Sequence, residues 1–268
     1  MTTIDRVVAQ FDYDAVRRHW PFPGDGDDKY SRGVVGIDTG TARYPGAAVL
    51  STLGALRAGA GFIRFCGEAA KEAVLACCPS VTFGPGRVQA WVLGCGWDED
   101  AENSSRLASR LADGRPCVID AGALWVIEPA LANLGWQLLP SGCLLTPHAG
   151  ELARLMDVDR EAVVADPVEW ASRAAQRYGA AVLLKGAIQY VVDADKAVQA
   201  MPGPAWTAQA GSGDVLAGIA GTLLAAGVEA VEAGAMAASL QALTAIKHPG
   251  PWSPDQLAGW FPEVIGSF

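Results

Sequence analysis

"CLLTPHAGELARL", residues 143–155, carries the pattern that decides the fold. A short apolar run turns at Thr146-Pro147 and continues in residues of helical composition. Pro147 cannot donate to a strand ladder and stiffens the exit from it. Glu151 suits the first turn of a helix, where an acid meets the positive end of the dipole. A strand that passes directly into a helix is half of a βαβ unit.

Outward from this stretch the half-unit recurs. "GVVGID" (33–38), "GFIRFCG" (61–67), "AWVLGCG" (90–96), "PCVIDAG" (116–122), "AVLLKGA" (181–187) and "QYVVDAD" (189–195) are short apolar runs with many β-branched residues. Residues 45–60, 98–113, 149–157 and 160–178 have helical composition, and three further helices are expected at 213–227, 229–247 and about 254–265. Strands that are apolar almost throughout are covered on both faces. The expected fold is therefore α/β, three layers with a mostly parallel central sheet. The last two runs, parted only at Ile188, predict a hairpin or bent strand and a mixed sheet edge. Residues 1–28 read as an N-terminal extension and 29–268 as a single domain.

Composition narrows the function. A net charge of −9 argues against a nucleic-acid backbone or an anionic membrane as partner. It leaves room for an anionic small ligand, because local amides and one lysine outweigh a distant global field. The six cysteines form no C-x-x-C pair and the three histidines are scattered, so no metal site is expected and buried, reduced thiols are. The first twenty residues hold no apolar signal core, and no 18-residue apolar run is free of glycine or polar breaks. A soluble, cytoplasmic protein is expected.

In open α/β sheets ligands gather at the carboxyl ends of the strands. No G-x-x-x-x-G-K-[ST] occurs, and no strand-borne G-x-G-x-x-G opens a helix, which excludes the commonest nucleotide sites. The anion-binding candidate is Gly211-Ser212-Gly213, ahead of the small-residue helix in "AGSGDVLAGIAGTLLAAG" (210–227). Backbone amides at a helix start can hold a phosphoryl group. Asp214 beside them can take the proton of an attacking hydroxyl, or can be an acid that merely suits the dipole. Lys185 in "VLLKGAIQYVV" can meet phosphates or be a solvated strand-end lysine. His148 can hydrogen-bond a ligand or be structural. The small residues of "YPGAAVLSTLGALRAGAGF" admit either a flat ligand or another helix.

Taken in order, "KYSRGVVGIDTGTARYPGAAVLSTLGALRAGAGFIRF", "VQAWVLGCG", "VIDAGAL", "LLTPHAGELARL", "LKGA" and "AQAGSGDVLAGIAGTLLA" resemble the ADP/ATP-dependent NAD(P)H-hydrate dehydratases of the ribokinase-like superfamily. The resemblance runs from about Lys29 to Ala245. It implies a ribokinase-like fold and a repair reaction, a lyase that dehydrates the S form of hydrated NADH or NADPH (NAD(P)HX). ADP or ATP, carrying Mg²⁺, is the implied co-substrate. The ring hydroxyl attacks the terminal phosphoryl and the phosphate ester then eliminates. By the same resemblance the substrate meets Ala47, Gly96, His148 and Asp214. The nucleotide meets Lys185, Gly186, Ala187, Ile188 and Gln189, with Gly213 closing the site, and Gly211, Ser212 and Gly213 support Asp214 in catalysis. A stand-alone form, a homotetramer and a separate NAD(P)HX epimerase are implied as well. The chain departs from the family where G-P-G-L-G becomes Gly94-Cys95-Gly96-Trp97-Asp98, where D-A-D-A-L-N becomes Asp120-Ala121-Gly122-Ala123-Leu124-Trp125, and at Gln209 in place of threonine. A small-molecule kinase of the same superfamily and a catalytically silent nucleotide-binding protein are the alternatives.

Overall fold

The computed structural model describes residues 8–268; the first seven residues of the expected extension lie outside them. Ten strands form one sheet: β1 (Val8–Gln10), β2 (Val34–Asp38), β3 (Phe62–Phe65), β4 (Thr82–Phe83), β5 (Ala90–Leu93), β6 (Cys117–Ile119), β7 (Leu144–Leu145), β8 (Ala181–Leu184), β9 (Tyr190–Val192) and β10 (Ala197–Gln199). Their order is β1-β10-β9-β8-β7-β6-β5-β2-β3-β4. Only β9 runs against its neighbours, which gives the mixed edge expected near Ile188.

The two faces of the sheet are both apolar, as the strand composition requires. Val92 and Val118 point into one core and Leu93 and Ile119, their neighbours in sequence, into the other. Helices Pro45–Arg57, Ser212–Ala225 and Ala230–Lys247 cover the first face. Helices Ala101–Leu111, Ile127–Leu134, Ala149–Met156 and Pro167–Tyr178 cover the second. This is the expected three-layer arrangement.

The small residues of the first face have a packing role. A Cβ on Gly218 would lie 2.1 Å from Ser51 O, and one on Gly54 2.2 Å from Val215 O. Thr222 Oγ1 donates to Ala55 O at 3.2 Å across the same seam. Helices Pro45–Arg57 and Ser212–Ala225 therefore touch backbone to backbone, and the stripe admits a helix of the same chain. The close seam fixes where the second helix starts, and so where Asp214 stands.

Several boundaries differ from the expected ones for local reasons. The stretch 160–178 divides into Arg160–Ala165 and Pro167–Tyr178, because Pro167 has no N–H to continue the first helix and opens the second. The stretch 254–265 divides in the same way into Pro254–Ala258 and Phe261–Ile265, with Pro262 in the second. The run 189–195 ends at Val192, where Asp193 Oδ1 accepts from the amides of Asp195 and Lys196, both at 2.8 Å, and turns the chain into β10. Upstream, β1 extends the sheet beside β10, and helix Tyr13–His19 is tied down by Tyr13 OH donating to Ser267 O at 2.9 Å. The cysteines are free thiols, four of them buried. Among the described residues no helix is long and apolar enough to cross a membrane.

Candidate active site

Three strands deliver the chemistry to one rim. Asp120 follows β6, Thr146 to His148 follow β7, and Lys185 follows β8. The β7–β8 pairing continues into an isolated bridge between His148 and Lys185, with Lys185 N donating to Pro147 O at 2.8 Å. Lys185 Nζ lies 2.7 Å from Asp120 Oδ1 and 3.8 Å from Glu151 Oε2. Asp120 is only 2% exposed. Burial pulls the Lys185 ammonium down, but Asp120 and Glu151 outweigh it and hold the group above its ordinary value, so it stays charged.

Helix Ser212–Ala225 starts opposite this pair. Gly211, at φ 90°, turns the chain into it and offers no side-chain cap. The Ser212 amide already donates to Gln209 O at 3.2 Å, and Gln241 Nε2 holds Ser212 O at 2.9 Å. The amides of Gly211, Gly213 and Asp214 have no partner among the described residues. Of the expected Gly211–Gly213 cradle, Ser212 is thus engaged, and Asp214 N joins the two glycines. A Cβ on Gly213 would stand 3.3 Å from Lys185 Nζ, so glycine keeps the space between amide and ammonium open.

Asp214 is half-buried, and its carboxyl is pushed up to about 6. Burial is the main cause and the Asp120 charge adds to it; Lys185 and a hydrogen bond from Cys95 act the other way. A carboxylate with this value is ionised at neutral pH and basic enough to take a proton. Cys95 Sγ also donates to Asp120 Oδ2 at 3.7 Å. The ligand atoms of Cys95, Asp120 and Asp214 lie within 4.8 Å of one another. They fit a metal ion poorly: Lys185 already supplies the positive charge there, and burial pushes the Cys95 thiol well up, so no thiolate is at hand.

Lys185, Gly186, Ala187, Gln189, Gly213 and His148 line one hollow of about 430 Å³, closed by residues 201–208 and Gln241. Ile188 is 48% exposed and stands outside it. A hollow of about 470 Å³ lies around Cys143, Ala181 and Glu229–Glu232, at the opposite ends of the strands, and holds none of these groups. Ala47 and Gly96 meet each other and do not line this hollow. A Cβ on Gly96 would lie 2.8 Å from that of Ala47, and Gly96 O is held by Thr41 Oγ1 at 2.9 Å.

His148 caps helix Ala149–Met156. Its Nδ1 accepts from Gly150 N at 3.1 Å and Glu151 N at 3.2 Å, while Glu151 Oε2 accepts from His148 N at 2.7 Å. Because Nδ1 is an acceptor, the ring proton sits on Nε2, a donor on a side chain 60% exposed.

The two altered loops fit each other. Trp97 is buried against the core beneath Arg106, whose guanidinium lies 4.7 Å over its ring, and Trp125 lies under Arg154. A Cβ on Gly122 would be 2.1 Å from Trp97 O. The missing side chain at 122 therefore leaves room for the backbone at 97, and neither tryptophan lines the hollow. Sequence reading gave Asp120 and Cys95 no part in the site and Glu151 only a place at a helix start. Asp120 carries the same signal as Lys185, a charge closing a buried apolar strand.

The family model described as NAD(P)H-hydrate dehydratase matches residues 35–251. The bifunctional NAD(P)H-hydrate repair enzyme Nnr of Mycobacterium tuberculosis is 41% identical over 234 residues, 85% of this chain and 48% of that one. The ADP-dependent (S)-NAD(P)H-hydrate dehydratase of Xanthomonas campestris is 32% identical over 257 residues, 82% of this chain and 81% of that one. The chain thus spans about half the length of the bifunctional relatives it matches. Among solved structures, the ADP/ATP-dependent NAD(P)H-hydrate dehydratase of Bacillus subtilis, co-crystallised with ATP/Mg²⁺, superimposes with a TM-score of 0.87 at 22% identity, over 99% of each chain. The ribokinase-like fold expected from the sequence is the fold of the chain.

Proposed function

This chain belongs to the NAD(P)H-hydrate dehydratase family, and we propose that it returns the S form of hydrated NADH or NADPH to the working cofactor at the expense of ADP or ATP. The observation that carries the reading is the half-buried carboxylate of Asp214, pushed up to about 6 beside a charged lysine and amides with no partner among the described residues. Asp214 takes the proton of the ring hydroxyl as its oxygen attacks the terminal phosphoryl, and the bond from that phosphorus to the nucleotide breaks. The Gly211, Gly213 and Asp214 amides and the Lys185 ammonium face the negative charge that develops. Elimination then breaks the carbon–oxygen bond, releases phosphate and gives up a ring proton as the double bond re-forms.

The nucleotide occupies the hollow lined by Lys185, Gly186, Ala187, Gln189 and Gly213, with Mg²⁺ carried on its phosphates. The hydrated ring lies toward Ala47, Gly96 and the Nε2–H of His148. Residues 29–268 act as the catalytic domain. Homotetramer assembly, an NAD(P)HX epimerase as functional partner and a cytoplasmic place are parts of the same reading; relatives that join two activities in one name support the pairing.

A kinase of this fold stops at the phosphate ester, so product accounting separates the two. Under turnover, inorganic phosphate is expected in equal amount to the NADH or NADPH restored, with no phosphorylated nicotinamide accumulating. Accumulation of the ester without phosphate release would assign a kinase. Nucleotide binding with neither product would assign a silent binder.

A further inference from the structure

Asp120 stands beside both working side chains, and no role in the reaction above falls to it. One of its oxygens is 2.7 Å from Lys185 Nζ, and the other is 3.7 Å from Cys95 Sγ. Cys95, fully buried, also has its sulfur within 4.8 Å of a carboxylate oxygen of Asp214. The thiol thus packs against two carboxylates that lie close to each other with like charge. We infer that Asp120 is a positioning residue for the reaction at Asp214, holding Lys185 against the open helix start with one oxygen and, beside the Cys95 thiol, setting its negative charge next to the Asp214 carboxyl.

This inference rests on Asp214 being the base, and the physical argument is local. A negative charge within a few ångströms disfavours a second one, so Asp120 raises the proton affinity of Asp214, whereas a thiol hydrogen bond to the ionised form lowers it. Lys185 offsets the cost of burying the Asp120 carboxylate with a 2.7 Å contact. The ionisable groups that face Asp214 are Asp120 after β6, Lys185 after β8 and Cys95 after β5. Helix Pro45–Arg57, packed along the same helix, carries a single charge, Arg57, at its far end. Glu232 and Lys247 of helix Ala230–Lys247 are engaged with Lys196 and Ser267, and Asp255 of helix Pro254–Ala258 with Ser253.

The two neighbours therefore have opposite signs, which a merely structural role for either does not produce. The test is a carboxyl-carbon NMR titration of aspartate-labelled protein, with the Asp214 resonance identified by its loss in Asp214→Asn. In the unaltered protein its midpoint is expected near 6. Asp120→Asn is expected to lower it by about one pH unit, and Cys95→Ala to raise it; Cys95→Ser, which keeps a donor, should bring it back down. In turnover, Asp120→Asn should cut kcat by roughly tenfold to a hundredfold and move the acid limb the same way as the midpoint. A midpoint unmoved by Asp120→Asn, or moved in the same direction by Asp120→Asn and Cys95→Ala, would overturn the inference. Should Asp120→Asn not fold, the opposed pair Cys95→Ala and Cys95→Ser decides alone: a midpoint identical in both would overturn it. The titration needs no substrate, so failure of the dehydratase reading would appear as absent turnover with these shifts intact.

Discussion

Two helices begin on the same rim of the sheet, and they begin in opposite ways. Helix Ala149–Met156 closes its own start: His148 takes two amides and Glu151 takes the amide of His148. Helix Ser212–Ala225 begins at a glycine with no side-chain cap and leaves the amides of Gly211, Gly213 and Asp214 without partners among the described residues. A good cap contributes about 1 kcal/mol, so the second start forgoes stabilisation that the first secures. It also places a half-buried acid where desolvation and a like charge oppose its ionisation. A place where local rules are broken at a cost, beside one where they are obeyed, marks the groups reserved for a ligand.

The strongest way to break this comparison is to remove the acid from the open start. Asp214→Asn is expected to lower turnover by roughly 10² to 10⁴-fold with nucleotide binding, read by calorimetry, largely kept. It should also make the protein more stable at pH 8. The sign follows from a folded-state value raised from 3.8 to about 6: the stability tied to protonated Asp214 is complete below 3.8 and is lost as pH rises through 6. Asparagine never ionises, so the gain in denaturant unfolding at pH 8 is on the order of 2 kcal/mol and vanishes near pH 3.8. Equal stability of the two proteins at pH 8 would mean that Asp214 is not held out of its ordinary range.

Lys185→Met tests the cation beside the open start. It strands Asp120, 2% exposed, without its partner, so a loss of roughly 3 kcal/mol in stability is expected. Asp120→Asn in the same chain should recover part of it. Gly213→Ala is milder. The backbone there tolerates alanine, but the methyl would crowd Lys185 Nζ at 3.3 Å, and nucleotide affinity should fall about tenfold, a loss of the order of one charged hydrogen bond. The smallest effect belongs to the closed start. His148→Ala removes the cap and should cost about 1 kcal/mol in unfolding, without altering the titration of Asp214.

Much of this contrast was legible in the sequence. The unbroken apolar runs "GVVGID" and "AWVLGCG" required a sheet covered on both faces, and the acid after "GSG" stood out as misplaced in an anion site. Lys185 and His148 were legible because each closes a strand. Other parts depended on distance in three dimensions. Whether the small residues of helix Pro45–Arg57 served a ligand or a helix was settled by the 2.1 Å approach at Gly218. The His148 cap was hidden because histidine is an uncommon N-cap residue, although Glu151 three positions on was the visible half of the capping box. Trp97 and Gly122 looked like two separate departures until Trp97 O was found where a Cβ at 122 would stand. The divisions at Pro167 and Pro262 could have been read from proline alone.

The most direct measurement is the recovery of reduced-nicotinamide absorbance when the purified protein meets S-hydrated NADH with Mg²⁺ and either ADP or ATP. The expected result is recovery that requires a nucleotide, rises with pH through about 6 as Asp214 ionises, and is abolished in Asp214→Asn. No recovery with either nucleotide, in protein that still binds one of them by calorimetry, would contradict the dehydratase reading.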